Sequence, residues 1–343
     1  MTQAKKAPAF GTQFTPQMLR QSHRDGRWQP AAIVPYGPYA LAPASAVFHY
    51  AQELFEGLKA YRQPDGSVAL FRPDRNFARL NRSAERMCMP HVDERQALAD
   101  LVRFVAAEAA QVPDAPWSLY LRPCMFGADQ VIRVKAAADY EYFVVACVVG
   151  DYFSGDDARG VKLRTETEYT RAATGGTGAA KCGGNYAASL AAQARATKEG
   201  FDQVVWLDAK EHRCIEEMGG MNIMFVLDGT LVTPSLETGT ILPGVTRMSL
   251  LELARHLGLK TEERTITADE LGAAFAAGKF EECFACGTAA VITPIRELLH
   301  RGQVIYRNDG TAPGPITTRL KTALMDIQFG RAPDPFGWRL PVR

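Results

Sequence analysis

Read by the spacing of its apolar residues, the chain alternates between strand-like and helix-like segments. Val68–Phe71 is a short apolar run between Gly66 and Pro73 and predicts a strand. Helical spacing follows over Asn76–Met87, stopped by Pro90, and over Glu94–Val112, where Leu98, Leu101, Val102 and Val105 share one face. Ala51–Tyr61 reads as a short helix, and Ser118–Phe126 and Tyr140–Val149 as strands. Val161–Tyr169 alternates like a half-buried strand, a helix over Tyr186–Lys198 is closed by Gly200, and Val204–Leu207 is a strand. Asn222–Thr233 predicts a hairpin with Asp228-Gly229 as its two-residue turn. Thr246–His256 is an amphipathic helix, Thr267 with Glu270 fits a capping box, Cys283–Ile292 is a strand and Thr317–Phe329 a last helix. Strands and helices mix without a regular βαβ rhythm, so the pattern favours α+β over a Rossmann sheet.

Punctuation divides the chain. The stretch up to about Ser45 is rich in Pro and Gly and predicts extended segments and turns. Gly150–Gly160 is polar, with three glycines and three aspartates. It is the expected joint between a smaller domain over residues 1–150 and a larger one over 161–343, with 151–160 as linker.

Composition narrows the class. Lys+Arg number 39 and Asp+Glu 38, a formal charge of +1, which is no electrostatic footprint for nucleic acid. Of 343 residues 47% are hydrophobic and 22% charged, as in a globular protein with a substantial core. The longest apolar stretch, Tyr142–Gly150, is far short of the roughly 20 residues of a membrane span, and Met1–Phe10 has no apolar segment, so neither membrane nor secretory leader is expected. The seven cysteines are odd in number and mostly widely spaced, which points to a reducing cytoplasm and no disulfide framework. Cys283 and Cys286 form one isolated CxxC without a second pair or nearby His, so no metal site is expected.

Three kinds of residue carry chemistry. Lys181 is the one charged residue in Ala172–Ala194, amid Gly175, Gly176, Gly178, Gly183 and Gly184. A lysine with so little to solvate it is the kind whose pKa falls far enough for Schiff-base chemistry, although a flexible surface loop would carry the same residues. Leu242–Arg247 (LPGVTR) leads into a helix start, where free N–H groups attract anions; a plain turn with a Thr cap reads alike. Cys286–Ala289, with Thr288, and Arg79 are further anion candidates. Of Glu216 and Glu217, before an apolar hairpin, one points inwards against a cationic partner, or both are solvated at a strand edge.

Taken together, these segments resemble the class IV aminotransferases. Glu217-Met-Gly-Gly-Met-Asn222, Leu231-Val-Thr233 and Leu242-Pro-Gly-Val-Thr-Arg247 look like the class signature. Phe10-Gly11 with Phe14-Thr15, His49-Tyr50 with Leu54-Phe55-Glu56-Gly57, Phe71-Arg72-Pro73, Tyr120-Leu-Arg122-Pro123, Lys181-Cys-Gly-Gly-Asn-Tyr186 and Gly287-Thr-Ala289 narrow it to branched-chain amino-acid aminotransferases. The likeness runs in order along almost the whole chain. It implies two α/β domains of the PLP fold type IV architecture, shared with aminodeoxychorismate lyase and D-amino-acid aminotransferase.

The resemblance also implies roles. Lys181 would be the Schiff-base lysine and proton carrier for pyridoxal 5′-phosphate, Glu217 would hold the pyridinium nitrogen, and Tyr186 the ring phenolate. Arg79, Val245, Thr246 and Thr288 would hold the phosphate. The substrate carboxylate would lie on Thr288 and Ala289; Phe10, Tyr50, Phe55 and Tyr120 would wall an apolar pocket beside Gly220, and Arg122 would take the distal carboxylate of glutamate. Ile132 and Val134 would reach into the neighbouring subunit's pocket, so each site of a homodimer is completed by its partner. The implied reaction exchanges the amino group of leucine, isoleucine or valine with 2-oxoglutarate, giving 2-oxo acids and glutamate. Two departures stand out: Met224 replaces a usual aromatic ring, and Ala290 and Thr293 stand where some members carry a redox-sensitive cysteine pair. The rival readings are another fold type IV enzyme, which the Tyr120-x-Arg122-Pro123 and Leu54–Gly57 stretches argue against, and a non-catalytic phosphate binder, which would need none of Lys181, Tyr186 and Glu217.

Overall fold

In the computed structural model, which describes residues 10–150, 160–310 and 312–342, the chain forms two compact units. Unit 1 comprises Met1–Tyr152, Ala180–Gly183 and Asp326–Arg343; unit 2 comprises Phe153–Ala179 and Gly184–Met325. The expected linker at 151–160 falls, apart from Gly160, outside the described residues. The expected larger domain over 161–343 differs from this division: two segments beyond residue 160 pack with unit 1.

Unit 1 contains β1 (Gln17–Arg24), β2 (Arg27–Trp28), β3 (Ala32–Pro35), α1 (Ala46–Tyr50), β4 (Glu53–Phe55), β5 (Leu58–Arg62), β6 (Val68–Phe71), α2 (Pro73–Arg86), α3 (Glu94–Ala107), β7 (Ser118–Gly127) and β8 (Tyr140–Val149). Its sheet runs from the C-terminal strand Arg339–Val342 through β6, β5, β7, β8 and β1 to β2, with β3 on β1 and β4 on β7. Residues 339–342 pair antiparallel with β6, which is why the chain's end belongs here. The helix expected over Ala51–Tyr61 is not there. The helix lies upstream, ends with Ala51 left-handed at φ 48°, and gives way to β4 and β5. Both strands pair with β7 (Glu53↔Phe126, Leu58↔Leu121), and that pairing overrides the local helical preference. The α-helix expected to reach Val112 stops at Ala107, where the Arg62 guanidinium donates to the carbonyls of Ala109 and Val112 ahead of Pro113. α2 and α3 bury Phe77, Leu80, Leu101 and Phe104 in the core of this unit.

Unit 2 begins with β9 (Val161–Thr165), shorter than expected because the Glu166 carboxylate accepts the N–H groups of Glu168 and Tyr169 and turns the chain. The helix expected over Tyr186–Lys198 is broken into α4 (Gly183–Ala187) and α5 (Leu190–Lys198), where the Ser189 hydroxyl donates to the Tyr186 carbonyl. Then come β10 (Gln203–Leu207), β11 (Ile215–Met218), β12 (Met221–Leu227), β13 (Thr230–Pro234), α6 (Val245–His256), β14 (Lys260–Arg264), α7 (Ala268–Ala276), β15 (Phe280–Gly287), β16 (Val291–His300), β17 (Gln303–Arg307) and α8 (Pro315–Gln328). Asp228 and Gly229 have φ of 50° and 71°, as a type I′ hairpin turn requires. Thr267 caps α7 by accepting from Glu270 N–H. The single strand expected over Cys283–Ile292 is two, β15 and β16, folded back at Thr288–Ala290 with Gly287 opposite Val291. Strands β11, β10, β9, β16, β15 and β12 pair in succession, and a β11–β12 pairing closes the ring. Closure leaves no free edge among these six strands, and Leu163, Val205, Ile223, Phe225, Ala285 and Leu298 on them belong to one buried core.

Candidate active site

In unit 1, the segment with Lys181 is held by three bonds. Lys181 N–H donates to Ser83 Oγ on α2 (3.0 Å), Phe55 N–H donates to the Lys181 carbonyl (2.9 Å), and Gly183 N–H donates to the Glu53 carboxylate. These contacts bind residues 180–183 to this unit. The lysine is half-buried, and its Nζ lies 4.9 Å from the Phe55 ring centroid. Burial lowers its amine to about 8, helped by the Arg79 and Arg122 cations and opposed by Glu56 and Tyr120. Arg79, on α2, is buried and donates through Nε and Nη2 to the two oxygens of Glu56 at 2.7 and 2.8 Å.

Around the lysine, unit 1 gathers most of the expected pocket wall. Phe10 meets Tyr120 edge-on at 4.9 Å between centroids. The Arg122 guanidinium lies 4.6 Å from the Phe55 ring centroid and donates to Tyr120 Oη at 2.9 Å. Gly57 is required here, since a Cβ on it would overlap the Tyr120 hydroxyl. Tyr50 is half-buried at the end of α1. Ile132 and Val134 stand 69% and 84% exposed in the loop after β7.

Unit 2 assembles the other candidates through strand register. Glu217 on β11 lies opposite Asn222 on β12, and Asn222 opposite Cys286 on β15. This row puts the Thr288–Ala289 turn just beyond the end of β15. The Asn222 amide donates to the Leu242 carbonyl (2.9 Å), which ties the LPG turn to the same strand. Glu217, 2% exposed, accepts Leu242 N–H at 2.7 Å on Oε1 and sets Oε2 3.2 Å from Arg171 Nε. Glu216 points to the other face of β11, takes the Thr240 hydroxyl at 2.5 Å, and has its carboxyl raised by burial. The residue pattern alone left the pair open and the resemblance named Glu217; strand alternation gives the two buried carboxylates different partners. α6 starts at Val245, with Gly244 as its N-cap and Val245 and Thr246 buried. Tyr186 packs over Gly220, where a Cβ would come within 3.2 Å of its ring.

Three residues that no motif singled out support these groups: Arg171 beside Glu217, Ser83 on the Lys181 N–H, and Asn76, which donates to the Glu56 carboxylate that holds Arg79. Arg171 directly precedes the uncharged run, the one hint available. Among the described residues there is no cluster able to hold a metal and no helix long and apolar enough to cross a membrane. The residues fit a phosphorylated pyridine aldehyde. A lysine with a lowered amine suits the aldehyde, a buried carboxylate beside a guanidinium suits a ring N–H, and a buried helix start with Thr246 suits a phosphate.

The amino-transferase class IV family matches residues 53–298. Branched-chain-amino-acid transaminase 1 of Bacillus subtilis (strain 168) is 46% identical over 335 residues, 97% of this chain and 94% of that protein. The branched-chain-amino-acid aminotransferase of Mycobacterium tuberculosis (strain CDC 1551 / Oshkosh) is 48% identical, over 97% of this chain and 92% of that one. Among solved structures, the branched-chain aminotransferase of Thermoproteus uzoniensis with norvaline superposes with a TM-score of 0.78 at 28% identity, covering 95% of this chain and 100% of that one. The T.th. branched-chain amino acid aminotransferase with pyridoxamine 5′-phosphate gives 0.76 at 26% identity, over 94% and 98%.

Proposed function

The chain belongs to the class IV aminotransferases, and on that premise we propose how its own residues carry the reaction. It is a pyridoxal 5′-phosphate-dependent transaminase that moves the amino group of leucine, isoleucine or valine to 2-oxoglutarate, giving branched-chain 2-oxo acids and glutamate. The observation that carries the assignment of its reactive residue is Lys181, half-buried with its amine lowered to about 8. The cofactor, when bound, supplies an aldehyde that takes up the amino group and a ring that accepts electrons from the substrate carbon.

Lys181 holds the aldehyde end and moves a proton from the substrate Cα through its Nζ. Glu217 keeps a proton on the ring nitrogen by its charge, and Arg171 Nε stands 3.2 Å from its other oxygen. Tyr186 donates to the ring oxygen. Arg79, the amides of Val245 and Thr246, and the Thr288 hydroxyl bind the phosphate. The amides of Thr288 and Ala289 take the substrate carboxylate. Phe10, Tyr50, Phe55 and Tyr120 exclude water from the branched side chain. Burying such a group contributes roughly 1.5–3 kcal/mol. Arg122, already against Phe55 and Tyr120, serves the distal carboxylate of glutamate, so one wall accepts both substrates. The protein works in the cytoplasm as a homodimer, with Ile132 and Val134 completing the partner's pocket; their exposure in the single chain supports this reading.

Borohydride tests the core of the proposal. Purified protein should be yellow, bleach on reduction, and yield a peptide with the cofactor fixed on Lys181. Reduced protein labelled on any other lysine would overturn the assignment.

A further inference from the structure

We propose that Glu56 is the positioning residue of the phosphate site: it fixes the Arg79 guanidinium in the orientation from which the remainder of that fork addresses the cofactor's phosphate. The inference rests on Arg79 as a phosphate ligand and adds a residue to which that reading gave no task.

Glu56 lies between β4 and β5, its side chain 1% exposed, and its own N–H donates to the Pro123 carbonyl at 2.8 Å. Oε1 accepts Arg79 Nε at 2.7 Å. Oε2 accepts Arg79 Nη2 at 2.8 Å, Asn76 Nδ2 at 2.7 Å and Gly57 N–H at 3.1 Å. Two N–H···O bonds along one edge define the plane of a guanidinium, which a single contact leaves free to swing. Asn76 stands three residues before Arg79 on α2, so one helix face presents both donors. Burial pushes the Glu56 carboxyl up, but Arg79, Asn76 and the charge of Lys181 outweigh it and hold the group below the ordinary carboxylate range.

A purely structural use of the pair explains less. Burying two charges costs as much as their attraction returns, and an apolar pair of the same volume would dock the helix as well. α2 already has Phe77, Leu80 and Ala84 for that purpose. The pair also sets an anion-binding cation near the reactive amine without a net charge: Arg79 lowers the Lys181 amine and Glu56 raises it.

Four holoenzymes test the inference: wild type, Glu56→Gln, Arg79→Gln and the double variant. Each is followed by cofactor retention on dialysis, the ³¹P resonance of the bound phosphate and Tm. Glu56→Gln should release cofactor faster by about tenfold or more and move the ³¹P resonance. Adding it to Arg79→Gln should change neither further, because both act through one guanidinium. If Glu56→Gln cannot fold with its arginine unpaired, the neutral double variant compared with Arg79→Gln still decides. A lowered Tm with wild-type retention per folded protein and an unmoved ³¹P resonance would overturn the proposal, as would additive effects in the double variant. A wild type that binds no cofactor would overturn the underlying reading, and this inference with it.

Discussion

At the scale of single residues, the lysine governs what can be measured. Lys181→Ala should abolish transamination while the cofactor still binds noncovalently. Covalent attachment and proton transfer vanish together, so the loss should exceed the roughly 10²–10⁴-fold of general acid–base catalysis alone. Near-normal turnover would remove Lys181 from the mechanism. Because a lowered pKa leaves the amine neutral above about 8, covalent capture of cofactor by the apoenzyme should rise with pH through that value and level off above it. Stopped-flow absorbance would show this; a rise delayed to the range of a solvated lysine, near 10.4, would contradict the burial argument. Glu217→Gln should slow both half-reactions and change the cofactor's spectrum, since glutamine supplies no charge to hold the ring proton. Glu216→Gln should leave that spectrum unchanged, because its side chain engages Thr240 on the opposite face of β11. The reverse result would exchange the two assignments. The residues alone left this dipeptide open and only the family resemblance pointed to Glu217, since alternation along a strand decides the faces only once the strand is placed.

At the scale of elements, local chemistry was legible where it was self-contained. The Asp228-Gly229 turn, the Thr267 cap and the helix start at LPGVTR were readable because each is made by residues within a few positions of one another. The errors came where a distant partner intervened. Ala51–Tyr61 has helical composition yet splits into strands because β7 offers them backbone partners. β15 bears on the cysteines. Cys283 and Cys286 are three apart on one strand, so their side chains leave opposite faces and cannot bridge without refolding it. Both thiols are buried, and burial pushes the Cys286 thiol up to about 12 and the Cys283 thiol well above its ordinary value. Peroxide should therefore leave activity largely intact. A dithiol-reversible loss mapping to these two residues would show that the strand opens.

At the scale of the whole molecule, the proposed homodimer carries a prediction for the exposed loop after β7. Val131, Ile132 and Val134 are 38%, 69% and 84% exposed, apolar surface that the proposed partner subunit would cover. Ile132→Asp should raise KM for leucine strongly with cofactor bound and fold intact, because it sets an unpaired charge against an apolar substrate. Mixing it with Lys181→Ala should restore some activity, since a mixed dimer brings an intact loop to an intact lysine. If subunits exchange freely and no activity returns, the loop serves its own chain. What the proposed chemistry needs stands largely in short local segments, around Lys181, Tyr186, Glu217 and the LPGVTR turn, where residues a few positions apart are read together. The sequence by itself also determined the mixed α+β character and the bounds of elements such as β7, β8 and the β12–β13 hairpin, which follow from local periodicity and turn residues. Only the tertiary structure decided that residues 180–183 and the C-terminal strand belong with unit 1, that six strands of unit 2 close on themselves, and that Glu56 grips Arg79 across 23 positions. Those depend on hydrogen bonds and ion pairs between residues far apart in the chain, whose partners no local pattern encodes.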